Sequence, residues 1–266
     1  MVESHIDSTE LHKKIIALFE YRLFPELLDL SHDFSEESKA DLWEKLISLQ
    51  TAIYHLDAHL EANWNTKDET LAFHWQNIGK ELLRLEIPTE NHHLYLNHIR
   101  KYEKHELELR QDRSPLRFAM EYFYFYKSCD VKLLRRLIYE KLKLKDIVGT
   151  LADWRYYDLI TEVNDDVEDV FEDLQFINGN RMLLSIFNKG RDKTRQEFLT
   201  FIQQIKEKSA LKYKSSSKSK MHKVIYDITN QRIKETILLL EKNISEITEN
   251  ELAEAKIIQF LTPVKL

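Results

Sequence analysis

Residues 152–190 carry the feature that most constrains the fold: helical apolar periodicity combined with an unusual number of acidic side chains. At about 100° per residue, several carboxylates fall within an arc of roughly 80° on a helical wheel. No Lys or Arg occurs between Arg155 and Arg181. The pattern predicts one long amphipathic helix with an acidic face. The acids in the arc are Asp158, Glu162, Asp165, Asp169 and Glu172, opposite Leu159, Val163, Val167, Val170 and Leu174.

The acidic face has two interpretations. Like charges four residues apart destabilise a helix by about 0.2–0.5 kcal/mol per pair, so a helix that keeps several such pairs needs compensation. Solvent compensates the repulsion if the face lies on the surface, as acidic helix faces usually do. Bound divalent cations supply it if the carboxylates form a metal site. Wheel geometry leaves both interpretations open.

The rest of the chain indicates an all-α protein. Its 266 residues include only four Gly and four Pro, and turn signals for β-hairpins are nearly absent. Such a composition favours long helices. Capping and periodicity predict about ten of them, with no internal repeat and no long linker. The first four are expected at about residues 9–30, 35–63, 68–85 and 92–110, and a break is expected at residues 178–180. We therefore expect a single helical domain over residues 1–266.

Composition also excludes several classes of protein. A net charge of −6 gives no reason to expect nucleic-acid binding by the whole chain. The single cysteine, Cys129, excludes an internal disulfide and is typical of a reducing cytoplasm. No apolar run approaches the roughly 20 residues that span a bilayer, and the first residues do not form a signal peptide. We expect a cytoplasmic protein without a transmembrane segment.

Within the acidic stretch, Asp165-Asp166-Val167-Glu168-Asp169 forms a DDxxD motif. It lies in YYDLITEVNDDVEDVFEDL and is followed by NGNRMLL. The segment resembles the second aspartate-rich region of the trans-isoprenyl diphosphate synthases, members of the class I terpenoid synthase superfamily. In that family a glycine-lysine turn follows the motif. The turn at residues 178–181 is similar, with Arg181 as the displaced basic residue.

Two upstream segments extend the resemblance over about residues 40–190. Asp57 and Glu61 form a DxxxE pair on an early predicted helix, where the family has DDxxD or, in the squalene and phytoene synthases, DxxxD. Lys127-Ser128 precedes Asp165 at a spacing similar to that of the family's Lys-Thr pair. The first motif departs from the family pattern, which weakens the case for a chain-elongating enzyme.

The resemblance implies a terpenoid-synthase-like bundle around a central cavity. It implies that Mg²⁺ is held by Asp57, Glu61, Asp165, Asp166 and Asp169. Lys127 and Arg181 would contact the diphosphate of an allylic prenyl substrate, which ionises to an allylic cation. The expected activity is that of a prenyltransferase or a terpene synthase in isoprenoid biosynthesis. Chain elongation, head-to-head condensation and cyclisation are not distinguished, and a homodimer stays open.

Other hypotheses remain beside this one. The degenerate first motif favours a non-catalytic helical interaction protein derived from the same fold. A ferritin-like di-iron bundle needs two Glu-x-x-His pairs, and only Glu90 to His93 matches. The serine-rich basic segment at residues 206–223 predicts a mobile stretch, either a solvated loop or a lid that closes over a polyanionic substrate.

Overall fold

The computed structural model describes residues 8–111, 113–215 and 220–261. All regular secondary structure in these residues is helical and no strand occurs among them, which confirms the predicted all-α class. None of the described helices is both long enough and apolar enough to cross a membrane. In chain order the α-helices are α1 (Ser8–Tyr21), α2 (Phe24–Asp29), α3 (Glu36–Ala62), α4 (Asp68–Arg84), α5 (His92–Leu109), α6 (Met120–Lys127), α7 (Cys129–Lys141), α8 (Lys145–Val148), α9 (Arg155–Glu168), α10 (Val170–Asp173), α11 (Arg181–Lys189), α12 (Arg191–Ser215), α13 (Lys220–Glu246), α14 (Glu249–Glu254) and α15 (Lys256–Phe260).

The chain divides into two compact units, which are described separately. The first comprises the residues up to His59 together with Thr66–Asn97 and Asp130–Ile147. The second comprises Leu60–Asn65, His98–Cys129 and the residues from Val148 onward. A single domain over the whole chain stays a prediction.

In the first unit, the predicted helix from residue 9 to about residue 30 is two helices. Leu23 adopts a left-handed conformation with φ of 60° and separates α1 from α2. Pro25 lies in the first turn of α2, a position that suits proline because the first amides of a helix have no partner within it. The bounds of α3 and α4, by contrast, lie within a residue or so of the prediction.

The second unit is organised around α9, which packs on α6, α12 and α13. Its apolar stripe is buried as predicted. The acidic face is buried as well over much of its length: Asp158, Glu162 and Asp166 are 2%, 4% and 0% exposed. The interpretation of this face as simply solvated is therefore wrong for these three residues, although Glu168, Asp169 and Glu172 are exposed.

The acidic stretch is also shorter and less regular than one long helix. Leu151–Trp154 forms a 3-10 helix before α9, and α9 ends at Glu168. The next turn, α10, continues only to Asp173. The predicted break at residues 178–180 is present, and Asn180 caps α11 by accepting a 3.0 Å hydrogen bond from the amide of Leu183.

The basic segment at residues 206–223 is mostly helical, so the predicted mobile stretch is wrong for residues 206–215 and 220–223. Lysine is a good helix former, and the apolar spacing of α12 continues through Ile205. Lys208 pairs with Glu121 at 2.7 Å, and Lys212 with Asp153 at 3.2 Å. Residues 216–219 lie outside the described residues.

Candidate functional site

The centre of the candidate site is the fully buried carboxylate of Asp166, on the face of α9 that meets α6. Tyr124 donates its phenolic hydrogen to one oxygen at 2.9 Å, and the backbone amide of Arg181 donates to the same oxygen at 2.9 Å. Lys127 forms a salt bridge with the other oxygen. Tyr124 and Lys127 are three residues apart on α6, so one helix face presents both donors. Asp166 is thus charge-compensated and fully hydrogen-bonded.

Lys127 is the internal counter-ion of an acidic cluster, which we define as Glu162, Asp165, Asp166, Asp169 and Asp173. Burial by itself would lower the pKa of the Lys127 ammonium. The carboxylates of Asp166, Glu162 and Asp173 outweigh that effect and raise this pKa above its usual value. Lys127 therefore stays protonated at neutral pH and neutralises part of the cluster.

The turn after α10 holds the distal end of the cluster through its two asparagines. Asn178 and Asn180 each donate a side-chain hydrogen bond to a different oxygen of Asp173, at 2.5 and 2.7 Å. Asn180 also donates to the backbone oxygen of Asp166 at 2.8 Å. Burial raises the pKa of Asp173, although Lys127 and the asparagines oppose the shift. Sequence reasoning identified the turn but not this role, which the tendency of Asn to bond nearby backbone and side chains could have suggested.

Asp165 and Asp169 lie one helical turn apart at the carboxyl end of α9. Asp169 is exposed as a residue, but its carboxyl group stands in the crowded part of the cluster. Burial of that carboxyl and repulsion from Asp165 and Asp173 raise the pKa of Asp169 to about 7. Lys127 lowers it only in part. Negative charge at Asp169 is therefore incompletely compensated by the protein itself.

Arg181 contributes to the site through its backbone, and its side chain has other partners. The guanidinium donates to the carbonyl oxygen of Pro115 at 3.0 Å and lies 3.5 Å from the carboxylate of Glu197. It also sits 5.6 Å from the ring centre of Phe123. The side chain is almost fully buried. The predicted contact between this guanidinium and a diphosphate stays a prediction.

Of the first predicted motif, the structure brings Glu61 to the end of the acidic stretch. Glu61 and the acidic stretch belong to the second unit. The amide of Ile177 donates a 2.9 Å hydrogen bond to the carbonyl oxygen of Glu61. Arg110, which sequence reasoning missed, donates to the carbonyl oxygen of Leu60 at 2.5 Å. Asp57 lies half-buried on α3 in the first unit.

Glu106 on α5 is a second residue that the sequence did not reveal. It is buried, and its Oε1 atom would lie 2.6 Å from a Cβ atom built on Gly179. The close approach explains why the turn carries glycine between its two asparagines. In the sequence, Glu106 stands in a strongly charged helix and has no feature that separates it from solvated neighbours.

The donor set decides how well Mg²⁺ suits this site. Within the described ranges, no group of three or more His, Cys, Asp or Glu side chains is arranged to hold a metal ion. Mg²⁺ is usually bound by one or two carboxylates completed by substrate phosphates and water. Asp165 and Asp169 fit that smaller requirement, whereas Asp166 is already engaged by Lys127 and Tyr124. The residues therefore fit an ion shared with a phosphate ligand better than a closed, protein-only site.

Comparison with known proteins gives no family assignment. No protein-family model matches the chain. No curated protein and no solved structure matches it either.

Proposed function

We propose that the protein is a Mg²⁺-dependent class I isoprenoid enzyme that binds an allylic prenyl diphosphate at the acidic cluster. The observation that carries the proposal is the pair Asp165 and Asp169, with a pKa of about 7 at Asp169, beside a buried Asp166–Lys127 salt bridge. A carboxylate that is crowded by like charges, as Asp169 is, is stabilised by a divalent cation. When bound, Mg²⁺ supplies charge neutralisation for the departing diphosphate.

Three residues of the acidic cluster and Lys127 have roles in this proposal. Asp165 and Asp169 provide oxygen ligands at the exposed end of α9. Asp166 is a positioning residue, because its bonds to Tyr124 and to the amide of Arg181 fix the end of α9 against α6 and α11. Lys127 keeps a positive charge next to the place where diphosphate would lie, which favours the negatively charged leaving group.

Several parts of the proposal rest on the family resemblance. They are the contributions of Asp57 and Glu61 to metal binding and the contact of Arg181 with diphosphate. Elongation, head-to-head condensation and cyclisation are all covered, since each begins with the same ionisation. A cytoplasmic location and a homodimer stay predictions.

A release assay tests the proposal. The full chain is incubated with Mg²⁺ and allylic diphosphates of several lengths, and pyrophosphate and extracted lipid products are measured. We expect Mg²⁺-dependent release that is abolished in Asp169→Asn and retained in Asp192→Asn, which removes an exposed carboxylate in the first turn of α12. No release from any substrate, or equal release by both variants, would contradict the proposal.

A second candidate is the non-catalytic helical interaction protein, favoured by the complete engagement of Asp166. In that case the DDxxD motif serves folding, and Lys127 replaces the charge of a metal ion. This protein would show no pyrophosphate release. Its melting temperature would also be unchanged by Mg²⁺ with a non-hydrolysable diphosphate analogue, whereas a ligand-binding enzyme is stabilised.

A further inference from the structure

The first unit contains a group of three histidines on α3 and α4. His55 and His59 are four residues apart on α3, so they lie on the same face of that helix. His74 comes from α4. The ring centres of His59 and His74 are 5.1 Å apart, and the ring planes are inclined by 38°. His74 joins this pair only in the folded structure, where its ring meets that of His59.

The separation of these rings is that of two ligands of one ion. With metal–nitrogen distances of about 2.0–2.1 Å and a tetrahedral angle between ligands, two imidazoles on the same ion have ring centres roughly 5 Å apart. The two rings are inclined to each other and are not stacked face to face.

His55 is the third imidazole of the group. It lies one helical turn before His59 and lines the same groove as His74. Histidines four residues apart on a helix are a common pair of zinc ligands. The three side chains do not form a three-ligand group as they stand in the described residues. His55 is exposed, so rotation of its side chain can bring its ring to the other two.

The surroundings allow a metal ion to enter. His55 and His74 line an open groove of about 300 Å³ whose other walls include Ser48, Thr51 and Asn77. The groove is wide enough for water molecules to complete the coordination of an ion.

We propose that His59 and His74, completed by His55, bind a first-row transition-metal ion of the Zn²⁺ or Ni²⁺ class. Imidazole nitrogen suits these ions, whereas Mg²⁺ prefers oxygen ligands. The site is thus chemically separate from the acidic cluster and independent of the proposed function. A metal ion bound at this site would join α3 to α4.

Calorimetric titration of Zn²⁺ into the full chain, without any affinity tag and with excess Mg²⁺ present, tests this site. We expect one Zn²⁺ per chain. We expect His59→Gln and His74→Gln each to weaken Zn²⁺ binding by about tenfold or more. Loss of a residue that only hydrogen-bonds to a metal ligand has an effect of about this size, and loss of the ligand itself should cost at least as much. His12→Gln removes an exposed histidine of α1 and is the matched control, with unchanged affinity expected.

Two further measurements keep the result interpretable. Helical circular dichroism establishes that each variant is folded before titration. Co²⁺ reports geometry through its visible absorption, and we expect a tetrahedral spectrum that is lost in His74→Gln. Absence of saturable Zn²⁺ binding by the folded wild-type chain would overturn the proposal. Equal binding by wild type, His59→Gln and His74→Gln would overturn it as well.

Discussion

Tyr124 donates a 2.9 Å hydrogen bond to Asp166, a carboxylate with no exposed surface and the second acid of the DDxxD motif. A buried acceptor of this kind must keep its donors, because an unsatisfied buried polar group is costly. The contact joins α6 to α9 and places Lys127, one turn further along α6, against the same carboxylate. The motif therefore stabilises the helix packing whether or not a ligand is present.

Replacement of Tyr124 by Phe tests this link. Loss of the hydroxyl leaves the charged Asp166 with one donor fewer, so we expect the free energy of unfolding to fall by about 1–3 kcal/mol in urea denaturation. Tyr122→Phe is the control on the same helix, because its hydroxyl lies 3.5 Å from His105 and also faces Lys101, and neither partner is a fully buried charge. A loss of equal size in both variants would contradict the assignment.

The Lys127–Asp166 salt bridge should show strong energetic coupling. Removing one partner of a buried ion pair leaves the other charge uncompensated and typically costs about 3–5 kcal/mol. We therefore expect Lys127→Met and Asp166→Asn each to be strongly destabilising. The double variant should lose clearly less than the two single losses added together. Additive losses in a double-mutant cycle of unfolding free energies would argue against the pairing.

Asp169 should make stability depend on pH in a defined direction. Its pKa is about 7 in the folded protein, above the roughly 3.9 of an unfolded Asp. Between these values the folded state binds more protons, so this residue's contribution to stability falls as pH rises from about 4 to 7. Asp169→Asn lacks that effect, so its stability relative to wild type should increase as the pH rises from 5 to 8.

The measurement is urea denaturation at both pH values with EDTA present. Asp192→Asn, which replaces an exposed carboxylate of α12, is measured in parallel as the control. A relative stability of Asp169→Asn that does not change with pH would show that the crowding of carboxylates around Asp169 is absent in solution.

Gly179 should not tolerate a side chain while Glu106 keeps its position. A Cβ atom there would meet Oε1 of Glu106 at 2.6 Å, and this carboxylate is buried and cannot simply swing into solvent. We expect Gly179→Ala to lower the melting temperature, and the double variant with Glu106→Ala to lose less than the sum of the single variants.

The control is Gly79→Ala in the middle of α4. Its Cβ atom would have only ordinary contacts, the nearest at 3.6 Å from the ring of His92. Alanine is the better helix former by about 0.5–1 kcal/mol, so this variant should be stabilised. Equal effects of the two alanine substitutions would mean that Glu106 does not constrain the turn.

The amino-acid sequence by itself determined the helical class and the limits of several elements. The bounds of α3, α4 and α5 were predictable to within a residue or so, and so was the turn at residues 178–180. Caps, turns and apolar periodicity depend on neighbouring residues, so they can be read locally. The break at Leu23 was missed, even though Pro25 follows it closely.

Only the tertiary structure decided what the acidic residues do. Wheel geometry placed the carboxylates on one face, but whether that face meets water or another helix depends on packing over long separations. Lys127 lies 39 residues from Asp166 in the chain, and nothing local indicates that it neutralises this acid. The sequence likewise does not indicate that the side chain of Arg181 contacts Pro115 and Glu197. Charges act through space, and the fold alone sets which of them are close enough to interact.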